Sequence, residues 1–143
     1  MELSAKVEYA LLALLELASH PIKESPHKVS EIAARQGIPE RYLEQVLMSL
    51  RRGGIVQSLR GAKGGYVLAR ESWKITLFDI VLSIEGEVNA KENQSDQTLE
   101  KSILQDIWRE AHTASAAILQ QYTLQDLCQK RDAYQLINPM YYI

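Results

Sequence analysis

The chain has 143 residues, 46% of them hydrophobic and 24% charged, and a formal net charge of −2. That length fits one domain, or a small domain with an added oligomerisation element, and the apolar share suffices for a core. No uninterrupted apolar run reaches bilayer-spanning length, and the one cysteine, Cys128, excludes an intrachain disulfide and fits a reducing cytosol.

The total charge argues against a polyanion partner, but its distribution reverses that. Residues 1–74 hold 11 Lys/Arg against 8 Asp/Glu, and residues 75–143 hold 5 against 10. Within 51–74 the count is 6 against 1. A local basic patch matters more than the sum, because screening limits its reach to about 8 Å at physiological salt.

In chain order, Ser4 is placed to cap a first helix whose apolar face is Val7, Leu11, Leu14, Leu15 and Ala18. The segment "YALLALLELA" lacks a cationic flank and is broken by Glu16, so it reads as a core helix and not a signal peptide. His20-Pro21 ends that helix, and "IKESPHK" is a polar loop. Ser30 is expected to cap a short helix from Glu31 to Gln36. After a Gly37-Ile38 turn, Pro39 opens a helix that runs to about Arg52, where Gly53-Gly54 stop it.

A short helix, a glycine turn and a longer helix make a helix-turn-helix. Leu43, Val46, Leu47 and Leu50 form the buried stripe of the second helix, while Arg41, Glu44, Gln45, Ser49 and Arg52 fall largely on other faces. Such side chains read base edges: Gln bonds adenine, Arg bonds guanine and Glu accepts from cytosine N4. Next come two short glycine-bounded runs, Ile55-Val56 to Leu59 and Tyr66 to Leu68, which read as a hairpin tipped by Arg60-Gly61-Ala62-Lys63-Gly64. Glycines clustered among cations need a geometric reason, either positive φ or a close backbone approach. The expected fold is therefore mainly α with a small β-hairpin, a winged helix-turn-helix, over residues 1–74.

Residues 75–143 read as a dimerisation and sensing region. Thr76 and Asp79 form a capping-box pair, with Ile75 and Ile80 placed as a staple, for a helix ending near Gly86. Residues 87–97, "EVNAKENQSDQ", read as a polar connector. A long helix is expected over about 98–122, with a C-terminal helix and tail over 123–143. In the long helix Leu104, Ile107, Ala111, Ala114 and Ile118 repeat at three-four spacing, with Trp108 beside them. A symmetric dimer contact fits this stripe, since duplex sites are commonly read by two-fold pairs. The alternative is a helix packed only within its own subunit. No internal repeat stands out, and no catalytic or phosphate-loop arrangement appears, so an enzyme is not expected.

The segments "SAKVEYALLALLELA", "VSEIAARQGIPERYLEQVLMSLRRGGIV" and "SLRGAKGGYVLAR" resemble the Rrf2 family of winged-helix transcriptional regulators, with members of IscR, NsrR and CymR type. The resemblance implies a cytoplasmic, homodimeric DNA-binding repressor. It places base contacts on Glu44 and Gln45 with Arg41 and Tyr42 nearby, phosphate contacts on Lys6 and Tyr9, and minor-groove approach on Arg60, Gly61 and Lys63; Arg52 joins them from the helix pattern. Many members read "KGRYA" where this chain has Lys6-Val7-Glu8-Tyr9-Ala10, so Glu8 replaces a cation. IscR-type members carry an iron–sulfur cluster on cysteines ahead of the long helix. Residues 87–112 hold no cysteine here, and clusters need thiolates in most arrangements. The expectation is thus no cofactor and no metal site.

The chain ends "MYYI", as the cluster-free cysteine-metabolism branch of the family does in character. That resemblance implies a repressor of cysteine and sulfur genes signalled through cysteine synthase, with Tyr142 and Ile143 as the partner-binding residues. Two readings compete with it: an iron- or stress-responsive regulator of the same family, and an adaptor whose wing no longer binds DNA.

Overall fold

Ser4 does cap the first helix, its Oγ accepting from Val7 N–H at 3.2 Å. The protein is described by a computed structural model over residues 3–19, 26–61, 64–86 and 98–137. The first helix, α1 (Ala5–Ser19), buries Val7, Ala10, Ala13, Leu14 and Leu17, whereas Leu11, Leu15 and Ala18 are only half-buried. The buried face differs from the expected one because α1 is packed by α3 (Glu40–Arg52), α4 (Leu77–Glu85) and α6 (Leu124–Ile137), and the small Ala10 and Ala13 let neighbours approach closely.

The helix-turn-helix is α2 (Val29–Gln36), a left-handed Gly37 (φ 65°) and α3. Ser30 is not the cap of α2, contrary to expectation. Lys28 holds that position without a side-chain bond. The cause lies one residue earlier: His27 exchanges backbone hydrogen bonds with Tyr66 at 3.0 and 2.8 Å, and this bridge fixes where the incoming chain turns helical. In α3, Leu43, Val46, Leu47 and Leu50 are fully buried, so the four predicted apolar positions supply its whole core face. Truncating such a leucine to Ala typically costs about 2–5 kcal/mol.

The wing is an antiparallel pair, β1 (Val56–Leu59) and β2 (Gly65–Leu68), in register from Val56 opposite Leu68 to Leu59 opposite Gly65. Two of its glycines have the geometric reasons that their clustering predicts. Gly61 sits at φ 111°, where side-chain-bearing residues rarely go, and a Cβ on Gly65 would collide with the His27 carbonyl. The wing thus carries a third edge partner through His27, which ties it to the start of α2.

A 3-10 turn (Ser72–Lys74) leads to α4, whose capping box is complete: Thr76 Oγ1 accepts from Asp79 N–H at 3.0 Å, and Asp79 accepts from Thr76 N–H at 3.1 Å. Ile75 and Ile80, the staple positions, are both fully buried. The sequence hides a short repeat that the expectation of none misses. "TLFDI" at 76–80 recurs as "TLQDL" at 123–127, and Thr123 and Asp126 close a second capping box at 3.2 and 2.8 Å. The two boxes face each other as an antiparallel bridge, Leu77 N–H donating to Tyr122 O at 2.9 Å and Leu124 N–H to Ile75 O at 2.8 Å. Each box satisfies orphan helix donors, so each contributes about 1 kcal/mol.

Between them runs α5 (Leu99–Gln121), capped by Thr98. From the second box α6 folds back on α1, where Arg131 donates to Ser19 Oγ at 2.6 Å and Leu15 O at 3.4 Å, binding the C-terminal end of α1. Ile75, Ile80, Ile84 and Leu124 belong to the same buried cluster as α1 and α3. Among the described residues, no helix is long and apolar enough to cross a membrane.

Candidate nucleic-acid interface

Because α3 completes its core with one stripe, its opposite face is left to solvent. Arg41, Glu44, Gln45 and Arg52 are exposed there, and Ser49 is half-buried with its hydroxyl donating to Gln45 O at 3.3 Å. Tyr42 is not on that face. Its ring is partly buried and meets Tyr9 edge-on, with centroids 5.3 Å apart at 84°. The pair locks the start of α1 to the start of α3, and so brings Lys6, half-buried one turn earlier, to the same end of the helix-turn-helix. Glu8, the residue in place of a cation, is exposed in the first turn of α1.

The cations of the wing region separate by geometry. Arg51, Arg52 and Arg60 are exposed. Arg70 instead turns to Asp79 at 3.7 Å, and Lys74 lies over the Trp73 ring at 4.9 Å. Gly61 is at the exposed tip; Lys63 lies outside the described residues. Two residues on this surface were not anticipated: Arg51, and Met48, which is 48% exposed in the middle of the α3 solvent face. Met48 was findable, since it stands seven residues after Arg41 and four before Arg52. The arrangement suits a duplex: a helix with hydrogen-bonding side chains for base edges, beside a cationic hairpin tip.

The long helix differs in kind. None of the 23 residues of α5 is buried. Its half-buried positions, including Ser102, Gln105, Ala116 and Leu119, lie to one side, and α5 packs against α4. Leu104, Ile107, Ala111, Ala114 and Ile118 fall on the other side, at helical periodicity, with Leu104 57%, Ile107 53% and Ile118 56% exposed. Trp108, 71% exposed, flanks that stripe. Tyr142 and Ile143 lie outside the described residues.

A family model described as "Rrf2: Iron-dependent Transcriptional regulator" matches residues 3–130 of the chain. The chain belongs to the Rrf2 family. It is 36% identical to the HTH-type transcriptional regulator CymR of Bacillus subtilis over 135 residues, 94% of this chain and 95% of that protein. The structure entitled CymR, the global cysteine regulator of B. subtilis, superposes with a TM-score of 0.72, covering 91% of this chain and 98% of that one. The T. potens IscR structure gives a TM-score of 0.75 at 36% identity, covering 94% and 91%. The HTH-type transcriptional regulator IscR of Xenorhabdus nematophila is 30% identical over 141 residues, 96% of this chain and 85% of that protein. This Rrf2 chain is accordingly a helix-turn-helix transcriptional regulator with a winged-helix fold, and its relatives are regulators and not enzymes.

The same comparisons correct the expectation of a cofactor-free chain. The matched family is described as iron-dependent, and relatives named IscR match along nearly the whole chain. The described residues by themselves do not compose a thiolate cluster site. Cys128 is the sequence's one cysteine, and no three His, Cys, Asp or Glu side chains converge among the described residues. Cys128 is half-buried on α6, and burial pushes its thiol above the ordinary pKa, an effect only partly opposed by Arg131.

Proposed function

We propose that this Rrf2 chain acts in the cytoplasm as a homodimeric repressor that reads duplex DNA with α3 and clamps it with the wing. The observation that carries this is the division of α3 into one fully buried apolar stripe and one exposed hydrogen-bonding face. In this reading residues 1–74 bind DNA. Glu44, Gln45 and Arg41 read bases with Tyr42 behind them; Lys6, Tyr9 and Arg52 hold phosphates; Arg60, Gly61 and Lys63 approach the minor groove. Residues 75–143 dimerise and sense, with Leu104, Ile107, Trp108, Ala111, Ala114 and Ile118 facing the second copy. Affinity for a labelled random-sequence duplex, followed by fluorescence anisotropy, should fall about a thousandfold or more between ~50 and ~200 mM salt. Salt-indifferent or absent binding would leave the adaptor reading in its place.

The regulated genes are proposed to be those of cysteine and sulfur metabolism, on the likeness to the B. subtilis global cysteine regulator along nearly the whole chain. The signal then arrives through a cysteine synthase that binds the Tyr142-Ile143 segment. Calorimetry of the full chain and of a chain lacking those two residues against that enzyme tests this, and equal affinities would remove the tail from the mechanism. A second reading, iron as the signal, is favoured by the description of the family as iron-dependent. Under it, ferrous iron shifts DNA affinity when no synthase is present.

A further inference from the structure

The middle of the α3 solvent face holds an apolar side chain where solvation alone favours a charged or amide one. The whole of α3 is described, and Met48 is its one large apolar residue in the exposed class. It is not at the margin of the core stripe. At about 100° per residue, Leu43, Val46, Leu47 and Leu50 centre on one side of α3, and Met48 falls nearly opposite them, in line with Arg41 and Arg52 and between Glu44 and Gln45. Leaving half of a methionine side chain in water forfeits the stabilisation that its burial would supply. The four buried positions already fill the core side, and about half of Met48 is left in water on the opposite side.

A duplex does offer it something. Base edges in the major groove are polar except for the C5-methyl group of thymine, which apolar side chains contact. Methionine is unbranched and polarizable, so it conforms to a small apolar target set among polar groups. Glu44 and Gln45, one turn away, and Arg41, two turns away, would bond the neighbouring base edges and fix how deeply α3 enters. We propose that Met48 is a further specificity-determining residue, one that reads a thymine methyl at the centre of each half-site. This rests on α3 being the helix that enters the groove.

The test uses duplexes enriched from a random-sequence library by the full-length protein, with each thymine replaced in turn by deoxyuridine, which removes the methyl and keeps every hydrogen-bonding group. One position per half-site should weaken wild-type binding about three- to fourfold, the worth of one buried methyl at about 0.8 kcal/mol. Met48→Ala should bind the thymine and deoxyuridine duplexes equally, and Met48→Leu should keep the preference. Enriched duplexes that are indifferent to every replacement, or a Met48→Ala variant with undiminished preference, would overturn the assignment while leaving α3 as the reading helix. A library that yields no enriched sequence would overturn both.

Discussion

The two helices that matter most for function, α3 and α5, are both half in water, for opposite reasons. In α3 four fully buried side chains complete a core, and the exposed face is chiefly Arg, Glu and Gln. In α5 no residue is buried, and the exposed face carries Leu104, Ile107, Trp108 and Ile118. A helix that finishes its core within the fold can spend its other face on a polar ligand. A helix that does not has apolar surface left for a further partner, since a soluble monomer rarely leaves so much in one stripe. The exposed face of α3 is what the proposed DNA contact uses, and that of α5 what the proposed dimer uses.

The sharpest way to break this contrast is on α5. Ala111→Glu with Ala114→Glu places charge where two helices would meet, at a cost of several kcal/mol. Sedimentation should show a monomer, while the circular dichroism of the winged helix is retained because Glu is a good helix former. An intact dimer would move the interface elsewhere. The next largest effect belongs to the wing. Gly65→Ala drives a methyl into the His27 carbonyl, so stability should fall by about 1–3 kcal/mol, read as a lower denaturation midpoint.

On α3, Gln45→Ala should cost ~1–3 kcal/mol at one base position. Arg60→Ala should instead weaken all sequences alike and reduce the salt slope by about one contact. Competition binding against single-base variants separates the two patterns. Smallest is the bridge between the starts of α4 and α6: Thr123→Ala removes one cap of the bridged pair, and thermal melting should show a loss of about 1 kcal/mol.

What could be read from the sequence was what local chemistry decides. The stripe of α3, the Thr76–Asp79 box and the glycine-tipped hairpin each depend on residues near one another in sequence, and each is present. The face of α1 is not legible because four helices pack it, and only their arrangement selects Ala10 and Ala13 over Leu11 and Leu15. Ser30 was misread as a cap because the bridge from His27 to Tyr66 joins segments far apart in sequence. The second capping box was overlooked because Tyr122 interrupts an otherwise continuous helical pattern by only one residue before Thr123. On the candidate site, the polar positions of α3 were legible by chemistry. The place of Met48 on that face is legible from its spacing to Arg41 and Arg52, but its significance is not, because an exposed methionine on a helix reads as incidental until the buried face is seen to be complete. The cofactor was misjudged because cysteine content speaks for one mode of ligation and not for a family described as iron-dependent.

The central claim is that α3 reads bases while α5 supplies a second reading helix. Sequences enriched by the full-length protein from a random duplex library, followed by footprinting of the bound site, test both halves at once. The account predicts a two-fold symmetric motif whose half-sites are one helical turn apart, or a multiple of it, each protected by one chain of a dimer. A single asymmetric half-site bound by one chain, or protection without any preferred sequence, would contradict it.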